Sequence, residues 1–150
     1  MKKSLVLLMI LLSVLSCKKK KTATQAELDE KIITDYISSN NLNATASGSG
    51  LYYVISSQGT GIQPNANSNV TVNYKGMLKD GSVFDQTATA GATFNLGSVI
   101  KGWKEGMQYY KKGGKGILLI PSALGYGAQA TGSIPANSVL IFNIELLNVN

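Results

Sequence analysis

A chain of 150 residues, 44% hydrophobic and 15% charged, has room for one folded domain with a modest core, which excludes a second enzyme domain and a wholly disordered chain. It carries 14 basic and 8 acidic residues, no His and one Cys, and Lys2, Lys3 and Lys18 to Lys21 make up much of the basic excess. The body is therefore nearly balanced and has no Arg, which argues against nucleic acid as a partner, and a His-dependent triad, an internal disulfide and a Cys-based zinc cluster are excluded.

Lys2 and Lys3 precede an apolar run from Leu5 to Leu15. That run is far shorter than the roughly 20 residues of a spanning helix and fits the core of a signal peptide. It ends in Val14-Leu15-Ser16-Cys17, which resembles a bacterial lipobox, so residues 1–16 read as a lipoprotein signal peptide and Cys17 as the lipidated N-terminus of the mature chain. An ordinary secretory signal with an incidental Cys, or an uncleaved anchor, is the plainer alternative. Two or three acyl chains on Cys17 give stable membrane attachment, and Lys18 to Lys21 either meet anionic headgroups or form a solvated spacer. The expected location is the bacterial cell envelope, lipid-anchored on the periplasmic side of the outer membrane.

Thr24-Gln25-Ala26-Glu27 is a capping box, and Leu28, Ile32, Ile33, Tyr36 and Ile37 follow at helical spacing, predicting a helix from Gln25 to Ser39. Its apolar stripe either docks on the main domain or pairs with a second copy. The stretch 40–50, rich in Asn, Ser, Ala and Gly, reads as a linker. Residues 17–49 thus form a tether, a helix and a linker, and 50–150 the globular domain.

Within 50–150 the signals are mainly those of strands. Leu51 to Ser57 is a first strand; Val70, Val72 and Tyr74 alternate with polar residues in a second; Lys79-Asp80-Gly81-Ser82 supplies a turn that returns Ser82 to Gln86 antiparallel to it. Gly114 to Ile120 is an apolar run stopped by Pro121, and Val139 to Val149 places Leu140, Phe142, Ile144 and Leu146 on one side. Between these, Ser98 to Tyr110 carries Ile100, Trp103, Met107 and Tyr110 at the spacing of one short helix. The economical architecture is α+β, an antiparallel sheet wrapped around one short helix.

Five stretches then stand in the order found in FKBP-type peptidyl-prolyl cis-trans isomerases, which residues 50–150 resemble. They are Val72-Asn73-Tyr74-Lys75-Gly76, Asp80-Gly81-Ser82-Val83-Phe84-Asp85, Phe94-Asn95-Leu96-Gly97-Ser98-Val99-Ile100-Lys101-Gly102-Trp103, Leu124-Gly125-Tyr126-Gly127 and Gly132-Ser133-Ile134-Pro135, closed by Phe142 to Leu147. The resemblance implies a small apolar pocket for a substrate proline, with Tyr74, Phe84, Asp85, Trp103, Tyr126 and Phe142 as the catalytic set. Phe94, Val99, Ile100 and Ile134 would bind substrate beside them. Trp103 would be the floor, Asp85 and Tyr126 the polar groups of the rim, and the Ile100 N–H a donor to a substrate carbonyl. No metal or cofactor is implied. The partners are proline-containing polypeptides and macrolide inhibitors of the class, besides the membrane reached through the anchor. Ala136 stands where many bacterial members have a second proline, and Gln86-Thr87 follows Asp85 where acidic or Ser-rich variants are common.

Each residue also has a plainer role. Phe84, Phe94, Trp103 and Phe142 suit a core, and Asp85 could be a solvated acid or a backbone cap after the turn. The corresponding alternatives for the chain are a tethered module that binds proline segments, or acts as a chaperone, with little turnover, and a structural lipoprotein joined through helix 25–39. Ala128 to Ser133 is small and polar and offers little apolar surface for chaperone-like binding.

Overall fold

The computed structural model describes residues 22–150. The signal peptide, Cys17 and Lys18 to Lys21 lie outside the described residues. Helix α1 (Gln25–Ser39) begins where the capping box places it. Glu27 N–H donates to Thr24 Oγ1 at 3.3 Å while Thr24 N–H donates to the Glu27 carboxylate at 2.7 Å, satisfying two donors that a helix start otherwise leaves open.

The strands are β1 (Thr45–Ala46), β2 (Tyr52–Ser57), β3 (Asn69–Met77), β4 (Val83–Gln86), β5 (Ala92–Asn95), β6 (Lys115–Ile120) and β7 (Leu140–Val149). They form one antiparallel sheet ordered β1-β2-β6-β7-β3-β4, with β5 also on β3. β4 pairs with the end of β3 at Lys75 to Met77 and β5 with its beginning at Asn69 to Val72, so both occupy one edge in succession. The fold is thus the expected antiparallel sheet on a short helix.

Three local features depart from the expectations. The stretch read as linker contributes β1, which pairs Thr45 with Tyr53. The single helix expected over Ser98 to Tyr110 is three pieces: a 3₁₀ turn at Leu96–Ser98, helix α2 (Lys101–Gly106), and a second 3₁₀ turn at Met107–Tyr109. β5 carried no strand signal of its own, being four residues without an apolar alternation strong enough to stand out.

Why α2 is short and close follows from its glycines. A Cβ on Gly102 would lie 2.4 Å from Ile120 Cγ2, and one on Gly106 would lie 2.6 Å from Leu118 Cδ2. Glycine at both ends of the helix lets its backbone rest directly on β6, and Trp103 between them is pressed into the core at 4% exposure.

β6 is apolar on both faces because both are covered. Leu118 and Ile120 join Leu140, Phe142, Ile144 and Leu146 of β7 in the layer against α2. Leu119 and Ile141 point the other way, with Val139, and are covered by Ile33 of α1. Helix α1 therefore docks on the sheet. Its inward stripe is not quite the predicted one: Leu28 stays exposed, and Asp29 takes the buried place one turn before Ile33. Tyr52 of β2 ties the same helix by donating to Glu30 Oε1 at 2.5 Å, a bond that raises the Tyr52 phenol above its ordinary pKa. Among the described residues no helix is long and apolar enough to cross a membrane.

Candidate active site

On the α2 side the sheet holds a cavity of 480 Å³, within the usual size range of small-ligand sites. All ten residues singled out for a substrate pocket line it: Tyr74, Phe84, Asp85, Phe94, Val99, Ile100, Trp103, Tyr126, Ile134 and Phe142. Ser98, Thr131, Gly132 and Ser133 line it too and were not singled out, although Ser98, Gly132 and Ser133 lie inside motifs quoted for their neighbours. Strands β3, β4, β5 and β7 supply the rings of the wall, and the start of α2 supplies Ile100 and Trp103.

Trp103 is the centre of the arrangement. Its ring lies 5.0 Å from that of Tyr74, 5.4 Å from Phe94 and 5.3 Å from Phe142, at interplanar angles of 89°, 81° and 79°. Phe84 meets Phe142 in the same way, at 5.4 Å and 84°. Edge-to-face contacts set the positive rim of one ring against the negative face of another, so the box is held by its own quadrupoles as well as by burial. Trp103 Nε1 is buried with no hydrogen-bond partner among the described residues. Gly76 makes room for the wall: a Cβ there would stand 2.6 Å from Phe84 Cε2 and 2.9 Å from Phe142 Cε1.

The polar groups of the rim divide their work. Tyr74 donates its hydroxyl to Asp85 Oδ2 at 2.5 Å, so Asp85 fixes the Tyr74 ring rather than capping the turn before it. That turn is closed instead by Asp80, whose Oδ1 accepts from Ser82 N and Oγ at 2.9 and 2.6 Å, and the Ser82 hydroxyl bond holds the Asp80 carboxyl below the ordinary range. Burial, aided by the bond to Asp85, pushes the Tyr74 phenol well above its ordinary pKa. The main chain of Tyr74 sits at the break between β4 and β5, where Thr87 completes the ladder: Tyr74 N donates to Thr87 Oγ1 at 2.9 Å and Thr87 N donates to Tyr74 O at 3.0 Å. Thr87 was not singled out from the sequence, and a hydroxyl three residues beyond Phe84 gives no signal until β4 and β5 share an edge.

Ile100 caps α2 without a side-chain bond, and its carbonyl accepts from Trp103 N and Lys104 N at 3.0 and 3.1 Å. Its own N–H makes no hydrogen bond among the described residues, nor does the Tyr126 hydroxyl, whose side chain is 39% exposed at the mouth. Ile134 is brought to the cavity by a tight hairpin in which Thr131 and Ile134 exchange both backbone bonds at 2.9 Å. Lys101 faces solvent. Among the described residues no three His, Cys, Asp or Glu side chains converge as metal ligands. What the site can do is enclose a small apolar ring on Trp103 and offer two neutral donors, Ile100 N–H and Tyr126 Oη, at its edge.

Comparison with known proteins agrees with this geometry. Residues 60–147 match the family model described as FKBP-type peptidyl-prolyl cis-trans isomerase. The chain is 41% identical over 135 residues to the FKBP-type peptidyl-prolyl cis-trans isomerase FkpA of Aeromonas hydrophila, covering 87% of this chain and 50% of that protein. The crystal structure of FkpA from Escherichia coli superposes with a TM-score of 0.75 at 39% identity, covering 84% of this chain and 61% of that one. A peptidyl-prolyl cis-trans isomerase from Pseudomonas syringae pv. tomato superposes with a TM-score of 0.71 at 34% identity, covering 87% of this chain and 99% of that one. The chain spans about half the length of the curated relatives it matches.

Proposed function

The chain belongs to the FKBP-type peptidyl-prolyl cis-trans isomerase family, and from that premise we propose that it accelerates rotation about X-Pro bonds in polypeptides of the bacterial envelope. The observation that carries this reading is the ring of perpendicular aromatics around the Trp103 floor, a lining for a pyrrolidine ring.

Rotating a peptide bond crosses a barrier of about 18–20 kcal/mol because the twisted C–N bond loses its resonance. No bond to carbon need be made or broken. The planar amide is the more polar form, so an apolar box disfavours the ground state relative to the twisted one, while the rings hold proline still as the preceding carbonyl turns. Ile100 N–H and the Tyr126 hydroxyl serve as donors to substrate carbonyls, positioned before the reaction rather than reorganised during it. Tyr74 contributes its ring, since its hydroxyl is committed to Asp85.

The same reading takes Cys17 as the acylated residue that tethers the domain to the outer membrane on its periplasmic side, and macrolides of the FKBP-inhibitor class as competitors for the pocket. The support is the position of the single Cys at the end of the apolar leader. Cys17→Ser should release the protein from membranes or leave it unprocessed, read by fractionation with acyl labelling. Retention and processing equal to the wild type would remove the anchor from the proposal.

A protease-free isomerisation assay with a proline peptide tests the activity. Acceleration abolished by excess rapamycin is the expected result. Peptide binding without acceleration would instead favour a proline-segment binding module.

A further inference from the structure

Asp29 and Ser122 are buried polar side chains at 1% and 2% exposure, and they are partners although 93 positions apart in the chain. Asp29 Oδ2 accepts from Ser122 N–H at 2.8 Å and from Ser122 Oγ at 2.6 Å, and Oδ1 accepts from Gln25 Nε2 at 2.7 Å. A carboxylate taken out of water needs such donors, and no cation pairs with it among the described residues. A helix whose only task was to cover the sheet would do better with an aliphatic residue here, as Ile33 does one turn later.

The other side of Ser122 leads to the pocket. Its carbonyl accepts from Gly125 N at 3.0 Å and from Gly127 N at 2.8 Å, the two residues that flank Tyr126. The Tyr126 phenol has no partner of its own among the described residues, so its place at the mouth is set by this backbone. The remaining backbone bonds of the segment are Leu124 N to Pro121 O at 3.0 Å, Gln129 N to Tyr126 O at 3.2 Å and Asn137 N to Gly127 O at 2.8 Å.

We propose that Asp29 is a positioning residue for Tyr126: from the N-terminal helix it fixes Ser122, and through the Ser122 carbonyl it sets the loop that holds the phenol over the substrate. This rests on the reading of Tyr126 as a substrate-contacting group. Helix α1, which precedes the residues matched to the family, is then a working part of the isomerase and not a spacer.

The test uses the full chain in detergent, with kcat/KM from the protease-free assay, amide exchange at Gly125 and Gly127, and melting curves. Asp29→Ala should lower kcat/KM by about 3- to 10-fold and speed exchange at both glycines by a similar factor, the range for losing a buried hydrogen-bond acceptor. Asp29→Asn keeps an acceptor for Ser122, with the Gln25 amide turned to suit, and should restore both readouts. Combined with Tyr126→Ala, which leaves no phenol to place, Asp29→Ala should add no further loss of activity. Should Asp29→Ala not fold, Ser122→Ala removes the hydroxyl donor alone and should give a smaller loss of the same kind. Unchanged exchange and rate in a folded Asp29→Ala chain, or an equal loss with and without Tyr126, would overturn the proposal. If the wild type proves inactive, the isomerase reading falls and the exchange at Gly125 and Gly127 still decides whether Asp29 holds the loop.

Discussion

Around Leu119 and Ile141, strands β6 and β7 are covered on both faces, and the two covers are unequal. On one side α1 runs for 15 residues and meets the sheet with aliphatic groups, so that Ile33, Leu119 and Ile141 reach full burial. On the other side α2 runs for six residues, and around its start the inner face of the sheet is met by rings standing at right angles to one another. Branched aliphatic side chains interdigitate and close a layer, whereas perpendicular rings around a short helix leave a bounded hollow. The chemistry thus sits on one face of the strands, which also carries the larger buried cluster, while the other face is simply closed by α1, and among the described residues Asp29 is a buried polar link from the closed face toward the open one.

The largest effect should come from setting the two faces against each other. Trp103→Ala truncates a buried aromatic and should cost about 3–5 kcal/mol of stability. It also removes the pocket floor, so kcat/KM measured well below the melting midpoint should fall by on the order of 100-fold. Ile33→Ala on the closed face should cost about 2–4 kcal/mol by the same measure and leave kcat/KM of the folded protein within about twofold. Denaturant melts paired with the isomerisation assay check both. An activity loss in Ile33→Ala as large as that in Trp103→Ala would mean that the faces are not separable.

A smaller effect belongs to the rim. Tyr74→Phe keeps the ring on Trp103 and removes the hydroxyl bond to Asp85, which is exposed, so the stability loss should sit near the lower end of about 0.5–1.5 kcal/mol. The activity loss should be a few-fold, on the order of one weakened contact, because the ring gains freedom. Asp85→Asn retains an acceptor for the phenol and should lose less. Comparing kcat/KM and melting for both variants orders them, and a greater loss in Asp85→Asn than in Tyr74→Phe would assign Asp85 a role of its own toward substrate.

The same division explains what was legible in the sequence. The ten pocket residues fall on motifs whose order identifies the family, and strand alternation in β3 and β7 points Val72 and Phe142 to the correct face. β6 reads only as an apolar run, because a strand buried on both sides has lost the alternation that would show its faces. The short pieces β1 and β5 carry too few residues for a pattern and exist through their partners on β2 and β3. Asp29 was hidden for a different reason: an acid in an amphipathic helix reads as solvent-facing, and only the arrival of Ser122 from far along the chain makes the buried position tolerable. Thr87 was hidden likewise, its value depending on a gap between two strands.

The smallest expected effect is on the rate as pH changes. The chain has no His, and ordinary carboxyl and phenol groups titrate near 4 and 10, so kcat/KM should be flat between about pH 5.5 and 8.5. Within the pocket, Tyr74 is driven further from that window, since burial first and the Asp85 bond second favour its neutral form. Stability should follow a different course at the alkaline end. Tyr74, and Tyr110 through burial, have phenol pKa values raised on folding, so the folded chain holds their protons where the unfolded chain has released them. Their contribution is complete below about pH 10, the unfolded value, and is lost as pH rises toward the folded ones. Melting temperature should therefore change little between neutral pH and about 9.5 on their account and then decline, less steeply in Tyr74→Phe. A pocket that works by apolar walls and neutral donors transfers no proton, so the rate profile has no limb to explain. Measuring kcat/KM against pH for the wild type and Asp85→Asn, with a peptide that does not itself titrate, decides the matter: a limb of slope one in the wild type that the substitution abolishes would make Asp85 a general base and overturn the division of labour at the rim.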